Sequence, residues 1–168
     1  MRSTKKIATT GILVALAMIL SYIESLIPAF VAVPGVKIGL ANAVTVFAIY
    51  FLGRRFAIGI SLVRVVLSSL LFGTAVSLIY SLSGAVLSFI GMALLSRARV
   101  FSTVGVSVAG GVLHNIGQII AACFVLGSAG VLFYLPPLLI SGTLAGVVIG
   151  VIAGIVLSRL KRIPHLMK

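Results

Sequence analysis

The sequence predicts an all-α integral membrane protein with six transmembrane helices and both termini in the cytoplasm. Its composition is 61% hydrophobic and 8% charged with a mean hydropathy of +1.36, whereas soluble domains carry roughly a quarter charged residues. Eleven of the 13 lysines and arginines fall in four short patches separated by apolar runs. Every second connection between these runs is basic. The positive-inside rule therefore predicts that the basic connections and both termini are cytoplasmic.

The four basic patches also limit the choice of partners. They are formed by Arg2, Lys5 and Lys6, by Arg54 and Arg55, by Arg97 and Arg99, and by Arg159, Lys161, Arg162 and Lys168. The net charge of +12 thus lies at the ends of the spans and forms no basic face with interleaved aromatics, so we predict contact with a lipid bilayer and no nucleic-acid partner.

The length of the chain accommodates six spans and little else. A span needs about 20 mostly apolar residues, and residues 1–168 are predicted to form a single transmembrane domain. The predicted spans are residues 7–27, 36–52, 56–73, 76–95, 103–126 and 134–158. The first follows a basic N-terminus as in a signal peptide, but its length and the five runs after it predict an uncleaved helix.

The predicted outer connections differ in length. Pro28, Pro34 and Gly35 make the first of them irregular, and it is the one long enough to shape a lid. The second, near residues 72–75, is predicted as a tight turn, and the third holds residues 127–130. The sixth helix is expected to begin close to two prolines, where missing amide donors cost least.

Small residues recur at helical spacing on two helices. The last helix carries Gly142, Gly146, Gly150 and Gly154. Glycines at intervals of four make a groove that a second helix can approach closely, either within the chain or from another subunit. Gly11 and Ala15 form a shorter version on the first helix.

Cys123 is the only cysteine and lies in a predicted span, so we predict a packing role and neither a disulfide nor a cysteine metal site.

Polar side chains inside the spans are the candidate functional residues. Arginine at the centre of a membrane helix costs at least ~2.5–3.5 kcal/mol on insertion scales, so it normally faces a cavity or a partner. Arg64 lies mid-helix and is the strongest candidate. The other candidate ligand-binding residues are Glu24, Lys37, Asn42, Tyr80, Ser81, His114, Asn115 and Gln118. Together they predict a polar pocket that opens outward.

Each of these residues also has a purely structural interpretation. The stripe of Ser77, Ser81, Gly84 and Ser88 on the fourth helix fits helix packing, because serines bond back to their own helix. Glu24 is the only acidic residue of the chain and is able to neutralise Lys37 or Arg64, but not both. Either Lys37 is solvated, or the pocket holds an excess positive charge that awaits an anion.

Enzymatic functions are not expected from this set of residues. Diphosphate chemistry with Mg²⁺ needs clustered carboxylates, and Asp is absent, which removes a Ser-His-Asp arrangement. No Gly-rich nucleotide-binding loop is present. The sequence therefore predicts a non-enzyme without a cofactor or metal, and any energy from ATP must come from another subunit.

Five segments resemble a known membrane family, and the similarity covers nearly the whole chain. They are Glu24-Ser-Leu-Ile-Pro28, Pro34-Gly-Val-Lys-Ile-Gly-Leu-Ala-Asn42, Arg64-Val-Val-Leu-Ser-Ser-Leu-Leu-Phe-Gly73, His114-Asn-Ile-Gly-Gln118 and Tyr134-Leu-Pro-Pro-Leu-Leu-Ile-Ser-Gly142. The family is labelled heptaprenyl diphosphate synthase component I, or Gx transporter. It is similar in turn to the substrate-binding S components of energy-coupling factor (ECF) transporters.

The resemblance implies two different functions. An S component has six helices, an outward pocket capped by the first outer loop, and a small-residue surface on its first helix, here Gly11 and Ala15, that meets the coupling subunit. This implies uptake of a small anionic or amphiphilic molecule into a bacterium, with a coupling subunit and ATPases as partners. The alternative is a non-catalytic membrane subunit or partner of a prenyl diphosphate synthase, whose aspartate-rich motifs have no counterpart here.

Overall fold

The computed structural model of the protein describes residues 3–26, 39–98 and 100–162. Regular structure in these residues is helical throughout. The α-helices are α1 (Ser3–Leu26), α2 (Asn42–Phe51), α3 (Arg54–Phe72), α4 (Ala75–Ala98), α5 (Thr103–Leu126) and α6 (Leu135–Lys161), and a 3-10 helix, Ala129–Tyr134, precedes α6. The predicted tight turn between the third and fourth helices is confirmed, as is the position of Pro136 and Pro137 in the first turn of α6.

Five of these helices, all except α2, are long and apolar enough to cross a membrane. Apolar side chains cover their outer surfaces, and the exposed residues include Leu70, Phe124 and Leu144. Exposed leucine and phenylalanine in such numbers suit a hydrocarbon solvent and not water. The architecture is therefore that of a multi-pass helical membrane protein.

Helix α2 is shorter than the sequence predicted. The predicted span of residues 36–52 is wrong at its start, because the helix begins at Asn42. Gly39 has φ +91°, a left-handed backbone conformation that interrupts a right-handed helix. The 10 residues of α2 extend over about 15 Å, which is about half of a bilayer core of about 30 Å. Asn42 accordingly lies at the first turn of α2 and not a turn and a half inside it.

The five long helices surround α2. Neighbouring pairs in this arrangement are α1 with α3, α3 with α4, α4 with α5 and α5 with α6, and α2 contacts each of the five. Between α1 and α6 lies an apolar groove of about 270 Å³ whose floor is α2. Since α2 runs into α3 through the turn at Gly53, it occupies the half of the bundle that carries Arg54 and Arg97. We call that half the basic end.

The glycines of α6 pack against α5 of the same chain. A Cβ added to Gly146 would lie 2.6 Å from Val108 Cα, and one added to Gly150 would lie 2.6 Å from Val104 Cα. Both distances are far inside van der Waals contact, so the two backbones meet directly along this stretch. The intramolecular interpretation of the repeat is confirmed for these positions. Gly154 differs, because no described atom of the neighbouring helices lies within 4 Å of such a Cβ.

Candidate functional site

The segment that leads into α2 is held by the only acidic side chain of the sequence. Glu24, near the C-terminal end of α1, is 5% exposed, and its Oε1 atom accepts a hydrogen bond from the Gly39 amide. The Leu40 amide lies 3.4 Å from the same oxygen. Gly39 and Leu40 precede α2, and the first three amides of the helix bond to the carbonyl oxygens of residues 39–41. The buried carboxylate therefore fixes the turn that leads into α2, and its charge is favourable near the positive end of the helix. Glu24 thus connects α1 to the interior of the bundle.

Side chains from three helices meet at this point. Asn42 Nδ2 lies 3.5 Å from Ser88 Oγ in the middle of α4. A Cβ on Gly39 would lie 3.6 Å from His114 Cδ2 in the middle of α5. The structure therefore places the first turn of α2 near the centre of the bundle, beside His114. The sequence-predicted residues Glu24, Asn42 and His114 are brought together.

Gly84 allows α4 and α5 to approach each other at this centre. A Cβ added to Gly84 would lie 2.7 Å from the His114 carbonyl oxygen, 2.9 Å from Gln118 Cγ and 3.0 Å from His114 Cε1. Gly117, on the other side of the same contact, would place a Cβ 2.7 Å from the Ser83 carbonyl oxygen. The absence of side chains here fixes His114 and Gln118 against α4.

Arg64 is buried within the bundle as the sequence predicted. It is 3% exposed, and it interacts electrostatically with Glu24. Among the described residues, its Nε and Nη2 atoms have no hydrogen-bond partner. A guanidinium offers five N–H donors, and donors left unpaired in a low-dielectric interior cost free energy. Two of these donor atoms are therefore available to a ligand or to water.

Gln118 and Ser81 present further unpaired polar groups. Gln118 is fully buried, and within the described part of the chain neither its Oε1 nor its Nε2 atom is hydrogen-bonded. The same holds for Ser81 Oγ, one turn from Gly84 on α4. Buried amide and hydroxyl groups are nearly always paired in folded proteins. Unpaired groups on facing helices therefore mark a place for bound water or a polar ligand.

Asn115 and Tyr80 lie away from the centre. Asn115 Nδ2 donates to the Leu138 carbonyl oxygen at 2.6 Å, which connects α5 to α6. The Asn115 side chain points away from that of His114, because successive residues of an α-helix are rotated by about 100° around its axis. Tyr80 packs with Ile119 and Leu138 in an apolar cluster. Both residues thus have packing contacts, and their predicted contact with a ligand stays a prediction.

The serine stripe of α4 divides into different roles. Ser77 accepts from the Thr74 amide at 2.8 Å, and the Ser77 amide donates to Thr74 Oγ1 at 3.1 Å. This reciprocal pair is a capping arrangement at the start of α4, so Ser77 is structural. Ser88 faces Asn42, and Ser81 is one of the unpaired groups. A single interpretation of the stripe as packing was therefore too coarse.

Two predictions concern residues that the structure does not describe. Lys37 and the first outer connection, with Pro28, Pro34 and Gly35, lie outside the described residues. The predicted outward opening of the pocket and the charge of Lys37 stay predictions. Among the described residues, no group of three or more His, Cys, Asp or Glu side chains lies together as metal ligands would.

The sequence analysis missed several polar groups near the centre. Gly39 contributes through its backbone amide, which no side-chain pattern reveals. Ser21 and Thr45 are 1% exposed, and their hydroxyl groups have no hydrogen-bond partner in the described part of the chain. Ser21 could have been found from its spacing, because it precedes Glu24 by three residues and so shares its helix face.

Most of the sequence matches the model of one known family. The model of the family described as heptaprenyl diphosphate synthase component I matches residues 13–156. The chain belongs to this family. The matched region contains Glu24, Arg64, His114 and Gln118, and it ends within α6. The expected resemblance is therefore confirmed at the level of the family. No curated protein and no solved structure matches the chain.

Proposed function

We propose that the protein is the substrate-binding membrane subunit, similar to an S component, of an ECF-type uptake transporter. Its substrate is a small anionic or amphiphilic molecule, and its location is the bacterial cytoplasmic membrane. The role is non-catalytic, and transport depends on a coupling subunit and ATPases. The family and the helical membrane architecture support a membrane component, and the remaining details are the proposal.

The observation that carries the proposal is the buried Arg64 with unpaired donor atoms in the interior of the bundle. A cation at this position is costly unless it meets an anion. Glu24 supplies part of that charge, but its Oε1 atom also accepts from the Gly39 and Leu40 amides just before α2. An anionic ligand would pair with the remaining guanidinium donors, and Gln118 and Ser81 would orient it through hydrogen bonds.

The surface of α1 is suited to contact with the proposed coupling subunit. Ala15 is exposed, and a Cβ added to Gly11 would meet no atom of the described helices around it within 4 Å. A small-residue surface without a neighbour in the chain suits close approach by a helix of another protein. Gly11 and Ala15 are therefore the proposed contact for the coupling subunit.

The test of the binding site is the charge of Arg64. Protein purified from its native membrane is examined by native mass spectrometry for a retained small molecule, and the affinity for that molecule is then measured. Arg64→Gln keeps hydrogen-bonding capacity but removes the charge, so binding should weaken by about 2–5 kcal/mol. Arg64→Lys should recover only part, because a point charge does not reproduce a planar two-pronged contact.

Two further variants separate binding from folding. Gln118→Leu should weaken binding while stability is kept, since the amide has no described partner to lose. Arg55→Gln, at the exposed end of the same helix as Arg64, is the matched control and should bind normally. If Arg64→Gln binds the molecule normally but unfolds in mild detergent, then Arg64 is a structural partner of Glu24 and the substrate need not be an anion.

The name of the family favours a second function. Heptaprenyl diphosphate synthase component I suggests a non-catalytic membrane partner of a prenyl diphosphate synthase. Co-purification from native membranes distinguishes the two. Recovery of ATPase and coupling subunits supports the transporter, and recovery of a soluble prenyl synthase supports the second function.

The orientation required for uptake has a direct test. Cysteines are placed at Ser102, between α4 and α5, and at Ala129, in the 3-10 helix; both positions are exposed. The natural Cys123 is first replaced by alanine. An impermeant thiol reagent should label Ser102→Cys only from the cytoplasm and Ala129→Cys only from outside. Labelling of Ser102→Cys from outside would contradict the predicted topology.

A further inference from the structure

A second polar cavity lies at the basic end, separate from the centre of the bundle. It has a volume of about 500 Å³ and is lined by Ile49, Tyr50, Gly53, Arg54, Ser96 and Arg97. It is formed where α2 turns into α3 and where α4 ends. We call it the basic cleft. None of its lining residues belongs to the candidate site described above.

Two arginines from different helices converge on the basic cleft. Arg54 is the first residue of α3, and its Nη1 atom donates to the Ala93 carbonyl oxygen of α4 at 3.4 Å. This contact holds the Arg54 guanidinium beside the end of α4. Arg97 is in the last turn of the same helix. The turn that brings Arg54 to this position depends on Gly53, whose φ of +93° favours glycine.

No acidic side chain lies near the basic cleft in the part of the chain that the structure describes. Glu24 is the only Asp or Glu of the whole sequence, and its carboxylate binds the Gly39 and Leu40 amides at the other end of α2. Both arginines are exposed, so their charge is accessible to an anion from the surroundings.

The chemistry of the lining indicates which anion fits. Arginine offers a planar fork of donors that matches the oxygens of a phosphate group in two-pronged contacts. The cleft lies where helices end, which is the depth of lipid headgroups, and Tyr50 is a residue type enriched at that boundary. Ile49 adds an apolar wall. A soluble anion would not need that wall, whereas the glycerol region of a lipid would contact it.

We propose that the basic cleft binds the phosphate group of an anionic phospholipid headgroup. The guanidinium groups of Arg54 and Arg97 hold the phosphate from two sides, and the lipid tails extend along the apolar surface of the bundle. The positive-inside rule predicts that this lipid belongs to the cytoplasmic leaflet.

The experiment uses the full chain in a neutral detergent and native mass spectrometry. Phosphatidylglycerol and phosphatidylcholine with identical tails are the probes. The double variant Arg54→Gln/Arg97→Gln is compared with Arg55→Gln/Arg159→Gln, which removes the same charge from two exposed positions outside the cleft. A neutral detergent has no anionic surface, so arginines outside the cleft should contribute little. The first variant loses both direct contacts with the phosphate and should bind phosphatidylglycerol more than tenfold less tightly, whereas the second should lose less than tenfold.

Three outcomes would overturn the proposal. Unchanged binding of phosphatidylglycerol in Arg54→Gln/Arg97→Gln would show that the cleft is not the site. An equal loss in both double variants would show a diffuse effect of charge. Displacement of phosphatidylglycerol by an equal concentration of inorganic phosphate would assign the cleft to a soluble anion instead of a lipid. Thermal unfolding of each variant in the same detergent serves to exclude loss of folding as the cause.

Discussion

The glycine repeat of α6 and the small-residue pair of α1 have the same spacing and opposite surroundings. At Gly146 the α5 backbone is so close that a single added carbon would meet Val108 Cα at 2.6 Å. At Gly11 no described atom of a neighbouring helix lies within 4 Å of an added carbon. The same four-residue period thus belongs to one surface that is already occupied and to another that is open. The repeat of small residues allows a second helix to approach closely. Only the fold shows whether that second helix belongs to the same chain.

The two surfaces also differ in the kind of contact they allow. Between α5 and α6 the backbones touch, and the Asn115 side chain adds a hydrogen bond to the Leu138 carbonyl oxygen. Around Gly11 and Ala15 the surface consists of exposed apolar residues such as Ile12 and Leu16. Lipid tails cover such a surface as well as a protein does. A helix that binds to α1 would therefore have to displace lipid, whereas α6 is already packed against α5.

The largest effect on folding is expected at the occupied surface. Gly146→Leu places a branched side chain where α5 backbone atoms lie, and overpacking of this severity should lower the free energy of unfolding by at least about 3 kcal/mol. Unfolding in mixed micelles with increasing denaturing detergent measures the change. A variant as stable as the parent would show that α5 and α6 separate easily. That result would contradict the close packing of α5 on Gly146.

A smaller effect is expected from the hydrogen bond at the same interface. Asn115→Ala removes the donor to the Leu138 carbonyl oxygen without adding bulk beside Gly142, so the free energy of unfolding should fall by about 1 kcal/mol. Ser141 Oγ, 3.0 Å from that oxygen, still donates to it. If instead stability is unchanged and affinity for the retained small molecule drops, then Asn115 contacts the ligand as the sequence first suggested.

A third variant tests the open end of the α6 repeat. Gly154→Leu continues the same motif, yet no described atom of the surrounding helices lies within 4 Å of an added Cβ. The free energy of unfolding should change by less than about 0.5 kcal/mol, as at other positions without packing contacts. Gly146→Leu is the matched comparison, because it makes the same substitution of a glycine on the same helix. A loss as large as that of Gly146→Leu would mean that another chain packs on Gly154.

The smallest effect on folding is expected on α1, together with a large effect on function. Gly11→Leu and Ala15→Leu should each change the free energy of unfolding by less than about 0.5 kcal/mol. If the proposed coupling subunit binds here, both should abolish its recovery and leave ligand affinity unchanged, because the added bulk prevents backbone approach without touching the site. Loss of folding would indicate that this surface packs within the chain, and the contrast with α6 would then disappear.

The long helices could be predicted from the sequence because their apolar runs match the thickness of a bilayer. The prediction for α5, residues 103–126, coincides with Thr103–Leu126. The prediction was wrong for the start of α2. The apolar run of the sequence extends through Gly39, but the left-handed backbone at Gly39 keeps this residue out of the helix. Hydropathy measures transfer from water and carries no information on the sign of φ at a glycine.

The candidate site was predictable to the extent that it consists of polar side chains. Arg64, His114 and Gln118 stand out in apolar helices, and the structure buries all three in the bundle. Neighbours in sequence were harder to separate, since Asn115 adjoins His114 but turns toward α6. The amide of Gly39 was beyond reach, because every residue except proline has an N–H group and only the fold decides which of them meets Glu24.

The half-length of α2 has a consequence for how the protein is made. The first amides of α2 bond to the carbonyl oxygens of residues 39–41, so the backbone just before the helix has to be held in place inside the bundle. An amide without an acceptor costs several kcal/mol in hydrocarbon. The acceptor for the Gly39 and Leu40 amides is Glu24, which is synthesised earlier, on α1. We expect that α2 reaches its final depth only after α1 has inserted and docked. Assembly in the membrane then follows the order of synthesis, with the carboxylate in place before the amides that bind it.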